Sequence, residues 1–170
     1  MLNAKTLAAE LAQRGQTIVT GGTDNHLLLW DARPLGISGS KLDKVLESVS
    51  ITVNKNSIVG DVSAVTPGGV RIGTPALTSR GMDEEDMKTV ARFLVRAANI
   101  GIELQKECLA ENEQNEHVAE PPPKGGNPKR PVVKLAAFCD KFEGREDLRE
   151  LKKEVEEFSS NFFMPGDDLN

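Results

Sequence analysis

Residues 68–81 read GGVRIGTPALTSRG. Arg71 interrupts a short apolar strand pattern between Val70 and Ile72, and Gly68, Gly69, Gly73 and Pro75 punctuate both ends. Burial of a guanidinium is costly unless it is paired, and its planar fork suits a carboxylate better than any other side chain does. The partner belongs either to the protein, as a structural ion pair, or to a ligand.

Working outward, strand patterns occur at TIVT (17–20) and LLLWDA (27–32), and ITV (51–53) is a further short candidate. Helix patterns run over 3–14, 40–50 and 83–109. The first carries Leu7, Ala8 and Leu11 on one face and stops at Gly15. The second carries Leu42, Val45, Leu46 and Val49 behind Ser40 and Asp43, which resemble a capping box. The third has acids in its first turn and an apolar stripe from Met87 to Cys108. Two more helices are expected at 132–142 and 146–158, the latter with Leu148, Leu151, Val155 and Phe158 on its core face. Short half-apolar strands and single-striped helices bury each other best in two layers. The fold expected is therefore α+β, with a short antiparallel sheet and helices mainly on one face. Residues 1–109 read as the core domain, 110–130 as a linker or mobile segment rich in acid, proline and glycine, and 131–170 as C-terminal helices.

Composition excludes several functions. The 170 residues carry a net charge of −5, which argues against a general nucleic-acid surface. One Trp, six Phe and no Tyr make a base-stacking platform a poor fit. No apolar run approaches the ~20 residues that cross a bilayer, and the residues before the first helix pattern are not expected to be a signal or transit peptide. Cys108 and Cys139 lack metal-ligand spacing and read as free thiols. His26 and His117 are the only histidines, too few for a metal or nucleophile cluster. GGTDN (21–25) reads as a hairpin turn with positive φ at Gly21 and Gly22 and local hydrogen bonds from Asp24 and Asn25. Asp31 and Arg33 read as a surface or interface ion pair. Arg80, next to the acids at 83–86, reads as a helix-end ion pair.

Three segments in one order carry more than any one alone: VTGGTDNHLLLWDARP, ITVNKNSIVGD and PGGVRIGTPALTSRG. Their order and approximate spacing resemble serine hydroxymethyltransferases, and the ending EVEEFSSNFFMPG resembles the Met-Pro-Gly ending of the eukaryotic enzymes. The resemblance covers residues 4 to about 100 and resumes near 145, leaving 103–142 unmatched. It implies the small C-terminal domain of a fold-type I pyridoxal-phosphate enzyme, which with tetrahydrofolate as co-substrate interconverts serine and glycine. It also implies a homodimeric or homotetrameric enzyme, with no nucleic-acid or membrane partner. The compartment expected is the cytoplasm, with mitochondrion or plastid as alternatives.

The resemblance assigns residues as well. Arg71 matches the family arginine that binds the α-carboxylate of serine or glycine, and it is expected to project from the sheet, with Asn56 on a loop at the same side, towards an open surface that carries uncovered apolar side chains. Asn56 matches the asparagine that meets the pteridine ring of tetrahydrofolate; by residue type alone it is equally a turn residue in a polar loop. Ser63 would line the same folate mouth. No catalytic and no metal-binding residue is expected in this chain. The family holds pyridoxal 5'-phosphate on a lysine that ends a run of threonines and a histidine, and no such run occurs here. Cleaving the Cα–Cβ bond of serine needs that cofactor as electron sink, so the chain alone is expected to be inactive. The alternative is a non-catalytic, truncated paralogue acting as a binding module.

Overall fold

A computed structural model describes residues 1–61, 66–116 and 133–164. Four strands form one antiparallel sheet in the order β1-β2-β4-β3: β1 Thr17–Ile18, β2 Leu27–Asp31, β3 Asn54–Asn56 and β4 Gly69–Gly73. Alternation along the strands divides the residues between two faces. Leu28 stands opposite Ile72 and Trp30 opposite Val70, all buried. Leu29 stands opposite Arg71 on the other face, where Arg71 is exposed.

The buried face is covered by α1 (Leu2–Gln13), α2 (Gly39–Ser48) and α4 (Glu84–Glu116), with the short α3 (Pro75–Ser79) turning the chain between β4 and α4. Leu7, Leu11, Leu42, Val45, Leu46, Met87 and Leu94 join Trp30 in one apolar core. The fold is thus the two-layer α+β arrangement expected. α6 (Glu146–Ser160) packs on α4, and α5 (Leu135–Asp140) packs on both α2 and α4. Phe93 of α4 meets Phe158 of α6 edge-on, centroids 5.6 Å apart, and Arg145 grips Asp147 and Glu107 at the start of α6.

Local chemistry explains where elements begin. Asp83 Oδ1 accepts from the amides of Glu85 and Asp86, and Asp86 Oδ2 accepts in return from the Asp83 amide, a reciprocal cap on α4. At α2 the cap is Ser38, whose hydroxyl accepts from the Lys41 amide at 3.3 Å, rather than Ser40, which is buried inside the first turn. The cause is a backbone contact: the Gly39 amide donates to Pro67 O at 2.8 Å, and a Cβ on Gly39 would lie 2.1 Å from Gly69 O. Helix and sheet meet so closely here that only glycine fits.

Other expectations need correction. The apolar 51–53 stretch is not a strand. Ile51 and Val53 are half-buried against the core, and the polar 54–56 that follows forms the edge strand, since ladder bonds there require no apolar side chains. Only 17–18 of the first strand pattern pairs, because Thr20 takes φ 65° and ends the run. In the following turn Gly21 has positive φ, but Gly22 is extended at φ 167°. Asn25 Oδ1 accepts from the Leu27 amide as expected, whereas Asp24 faces Lys5 instead. α4 runs on to Glu116, and α5 is shorter than its pattern.

Candidate functional site

The site begins with the alternation of β4. Val70 and Ile72 enter the core, so Arg71 between them leaves it and projects to the open side of the sheet, as expected. Among the described residues it forms no salt bridge. Its register partners are Leu29 on β2 and Asn54 on β3. One row further along, Asp31, Gly69 and Asn56 stand abreast across the same three strands. Residues two apart on a strand share a face, so Arg71, Asn54, Asn56 and Asp31 all belong to the face the helices leave uncovered. Asn56 lies on the edge strand rather than in a loop, with its Nδ2 donating to Ser57 O at 2.6 Å. Ser63 lies outside the described residues.

Beside this row sits a charged cluster. The Arg33 guanidinium donates to both carboxylate oxygens of Asp31, Nε to Oδ1 at 3.0 Å and Nη2 to Oδ2 at 2.8 Å, and lies 3.7 Å from Asp61 Oδ1. That fork holds the Asp31 carboxyl below the ordinary carboxylate range. Asp61 is also held low, chiefly because its carboxylate accepts from the backbone amides of Gly68 and Ile58. The surface ion pair expected of Asp31 and Arg33 is therefore present, with a third member that spacing alone did not announce.

The uncovered face was also expected to carry bare apolar side chains. It is mostly polar instead: Leu27 and Leu29 are half-buried, and large exposed apolar groups occur at Met1, Leu2, Val59, Leu135, Phe163 and Met164. Of these, Val59 lies just beyond β3, close to Asn56. A cavity of about 270 Å³ between Ile51, Val53, Ile72, Leu77, Phe93 and Phe158 lies on the core side of the sheet and includes neither Arg71 nor Asn56.

Arg80 does not pair with the acids at 83–86, of which Asp83 and Asp86 cap α4 and Glu85 pairs with Lys88. It caps the far end of α6: Nη1 donates to Ser159 Oγ at 2.8 Å, Nη2 to Ser159 O and Phe162 O at 2.6 and 3.2 Å, and Nε to Phe163 O at 3.0 Å. His26 sits exposed in the β1–β2 connection, and its carbonyl accepts from the Thr74 amide. Among the described residues no cluster of His, Cys, Asp and Glu could hold a metal ion, and no helix is long and apolar enough to cross a membrane.

Neither the lysine in the core nor the lysine on the sheet offers an accessible, desolvated amine for an imine-bound cofactor. Lys41, the buried lysine, donates to Gln105 Oε1 at 2.6 Å and lies over the Phe138 ring, shut in by α4 and α5. Lys55 is exposed on the edge strand. Neither faces Arg71's side of the sheet in a desolvated setting.

The fold and the face together define a small α+β module that presents an outward arginine and two asparagines. The model of the family described as serine hydroxymethyltransferase matches residues 1–94. The chain is 43% identical over 164 residues to serine hydroxymethyltransferase 5 of Arabidopsis thaliana, covering 96% of this chain and 30% of that protein. It is 42% identical over 167 residues to serine hydroxymethyltransferase of Caenorhabditis briggsae, and 39% over 166 residues to serine hydroxymethyltransferase 3, chloroplastic, of Arabidopsis thaliana. The chain belongs to the serine hydroxymethyltransferase family. It spans about 30% of the length of these relatives. These alignments span the 103–142 segment, which the quoted motifs left unmatched.

Proposed function

We propose that this chain is the C-terminal, substrate-orienting part of a serine hydroxymethyltransferase, which transfers the hydroxymethyl group of serine to tetrahydrofolate. Arg71 takes the α-carboxylate of serine or glycine in a bidentate grip, fixing the amino acid by geometry rather than by charge alone. Asn56 meets the pteridine of tetrahydrofolate with the paired donor and acceptor of its amide, and Ser63 belongs to the same folate mouth. Residues 1–109 form the working domain, and 131–170 brace it from outside.

In this reading the electron sink is pyridoxal 5'-phosphate, held by the part of the enzyme that this chain does not span, since neither Lys41 nor Lys55 suits it. The chain alone neither holds the cofactor nor turns over serine. What carries the reading is the exposed Arg71 on the face shared with Asn56, free of any ion pair among the described residues.

The test is a chimera in which residues 1–170 replace the matching part of serine hydroxymethyltransferase 5 of Arabidopsis thaliana. It should convert serine to glycine in a tetrahydrofolate-dependent manner. The 170-residue chain alone, given pyridoxal 5'-phosphate, should show no saturable absorbance band and no serine cleavage. A folded chimera without turnover, or a chain active by itself, contradicts the reading.

A further inference from the structure

Asp31, Arg33 and Asp61 form a cluster that the carboxylate and folate contacts leave unexplained. The Asp61 carboxylate is 8% exposed and that of Asp31 11%, and one arginine serves both. An ordinary surface pair contributes little, whereas two nearly buried carboxylates are costly unless every oxygen is engaged. Here both Asp31 oxygens and Asp61 Oδ2 accept hydrogen bonds, and Asp61 Oδ1 lies 3.7 Å from Arg33 Nη1. Asp61 Oδ2 accepts from the Ile58 amide at 2.9 Å and from the Gly68 amide at 2.8 Å, joining the turn after β3 to the residue before β4. Arg33 Nη1 donates to Val59 O at 3.1 Å, holding that turn, while its other nitrogens hold Asp31 at the end of β2.

Backbone space is shaped around the cluster. A Cβ on Gly68 would lie 2.4 Å from Asp61 Oδ1 and 2.9 Å from Arg33 Cδ. Asp31 and Asn56 flank Gly69 in one row of the sheet, and the buried Ile58 side chain covers that glycine between them, its Cγ2 2.9 Å from where a Cβ would lie, so the turn that the cluster holds packs directly on the asparagine's row. Arg71, one row away in the middle of β4, is held by ladder bonds on both sides.

We infer that Arg33, clamped between Asp31 and Asp61, is a positioning residue that sets Asn56 and the turn behind it for the pteridine co-substrate, independently of the amino-acid carboxylate site. The inference rests on the folate reading of Asn56 given above. Its consequence is selective: loosening the latch displaces the edge strand and its turn but leaves the arginine on the central strand in place.

Two measurements test it. In the 170-residue chain, Arg33→Gln and Asp61→Asn should each speed amide hydrogen exchange at Ile58 and Gly68 about tenfold, with the β2–β4 ladder amides unchanged. In the chimera, both variants should raise KM for tetrahydrofolate about tenfold while KM for serine stays within about twofold. Arg33→Lys, the milder change, should recover little, because lysine lacks the fork that spans two carboxylates. Faster exchange with an unchanged folate KM would overturn the inference, as would a serine KM that rises in parallel. Asn56→Ala is run alongside. If it raises the folate KM while the Arg33 and Asp61 variants do not, the latch alone fails; if it leaves the folate KM unchanged, the folate reading fails and the inference with it.

Discussion

Arg71 and Asn54 are direct partners across the β4–β3 ladder, one charged and one amide side chain on the same uncovered face of the sheet. Asn56 follows two residues along the same strand. A polar edge strand thus lines the arginine along one flank, and the apolar half of β4 anchors it from beneath through Val70 and Ile72. The arrangement supplies rigidity from the core and chemistry from the face.

The contact that fixes this geometry from behind is Gly39 against Gly69. A methyl group on Gly39 has backbone on its far side, which cannot turn away as a flexible side chain could. Gly39→Ala should cost about 3 kcal/mol, measured by urea unfolding of the 170-residue chain. A loss below about 0.5 kcal/mol, the range of ordinary surface changes, would mean that the α2–β4 approach relaxes freely.

Arg80→Ala removes four donors from the C-terminal end of α6 and its continuation. The expected loss is about 2 kcal/mol, with faster amide exchange in the last turn of α6 and none in β4. Substitution at Arg80 should leave KM for serine in the chimera unchanged, because the guanidinium is spent on three carbonyls and the Ser159 hydroxyl. A rise in that KM matching the effect of an Arg71 change would reassign the carboxylate partner.

Acid should weaken the fold through a known set of groups. Asp31 is held low by the Arg33 fork, Asp61 by two backbone amides and Asp147 by Arg145. A carboxyl with a lower pKa folded than unfolded contributes fully above its unfolded value, about 4, and that contribution is lost as pH falls through the folded value. Stability should therefore fall below about pH 4, and the fall should be shallower in Asp61→Asn, which is less stable at neutral pH but closer to the parent in acid. Identical pH slopes for parent and variant would remove Asp61 from the set.

Much of this was legible in the residues. The short half-apolar runs around Trp30 and Val70 and the single stripes of α1, α2 and α4 led to the two-layer fold, because burial drives both. The edge strand was not legible, since Asn54-Lys55-Asn56 pairs through backbone alone and carries no apolar signature. Ser38 was missed as a cap because the decisive contact is between glycine backbones far apart in sequence. Arg71 was expected to project from the sheet to an open surface, and the alternation of β4 sends it there, with Val70 and Ile72 buried on either side. Asp61 gave a weak hint, an acid shortly before Pro67-Gly68-Gly69, whose meaning depends on the turn bringing it back to the Gly68 amide.

The most direct measurement is serine turnover by the chimera carrying Arg71→Lys. Lysine keeps the positive charge and exposure but cannot grip a carboxylate with two parallel bonds, so the amino acid loses its register. The account predicts a fall in kcat/KM for serine of at least about a hundredfold, with the circular-dichroism spectrum and urea midpoint of the parent retained. A kcat/KM within about threefold of the parent would show that Arg71 does not hold the substrate carboxylate.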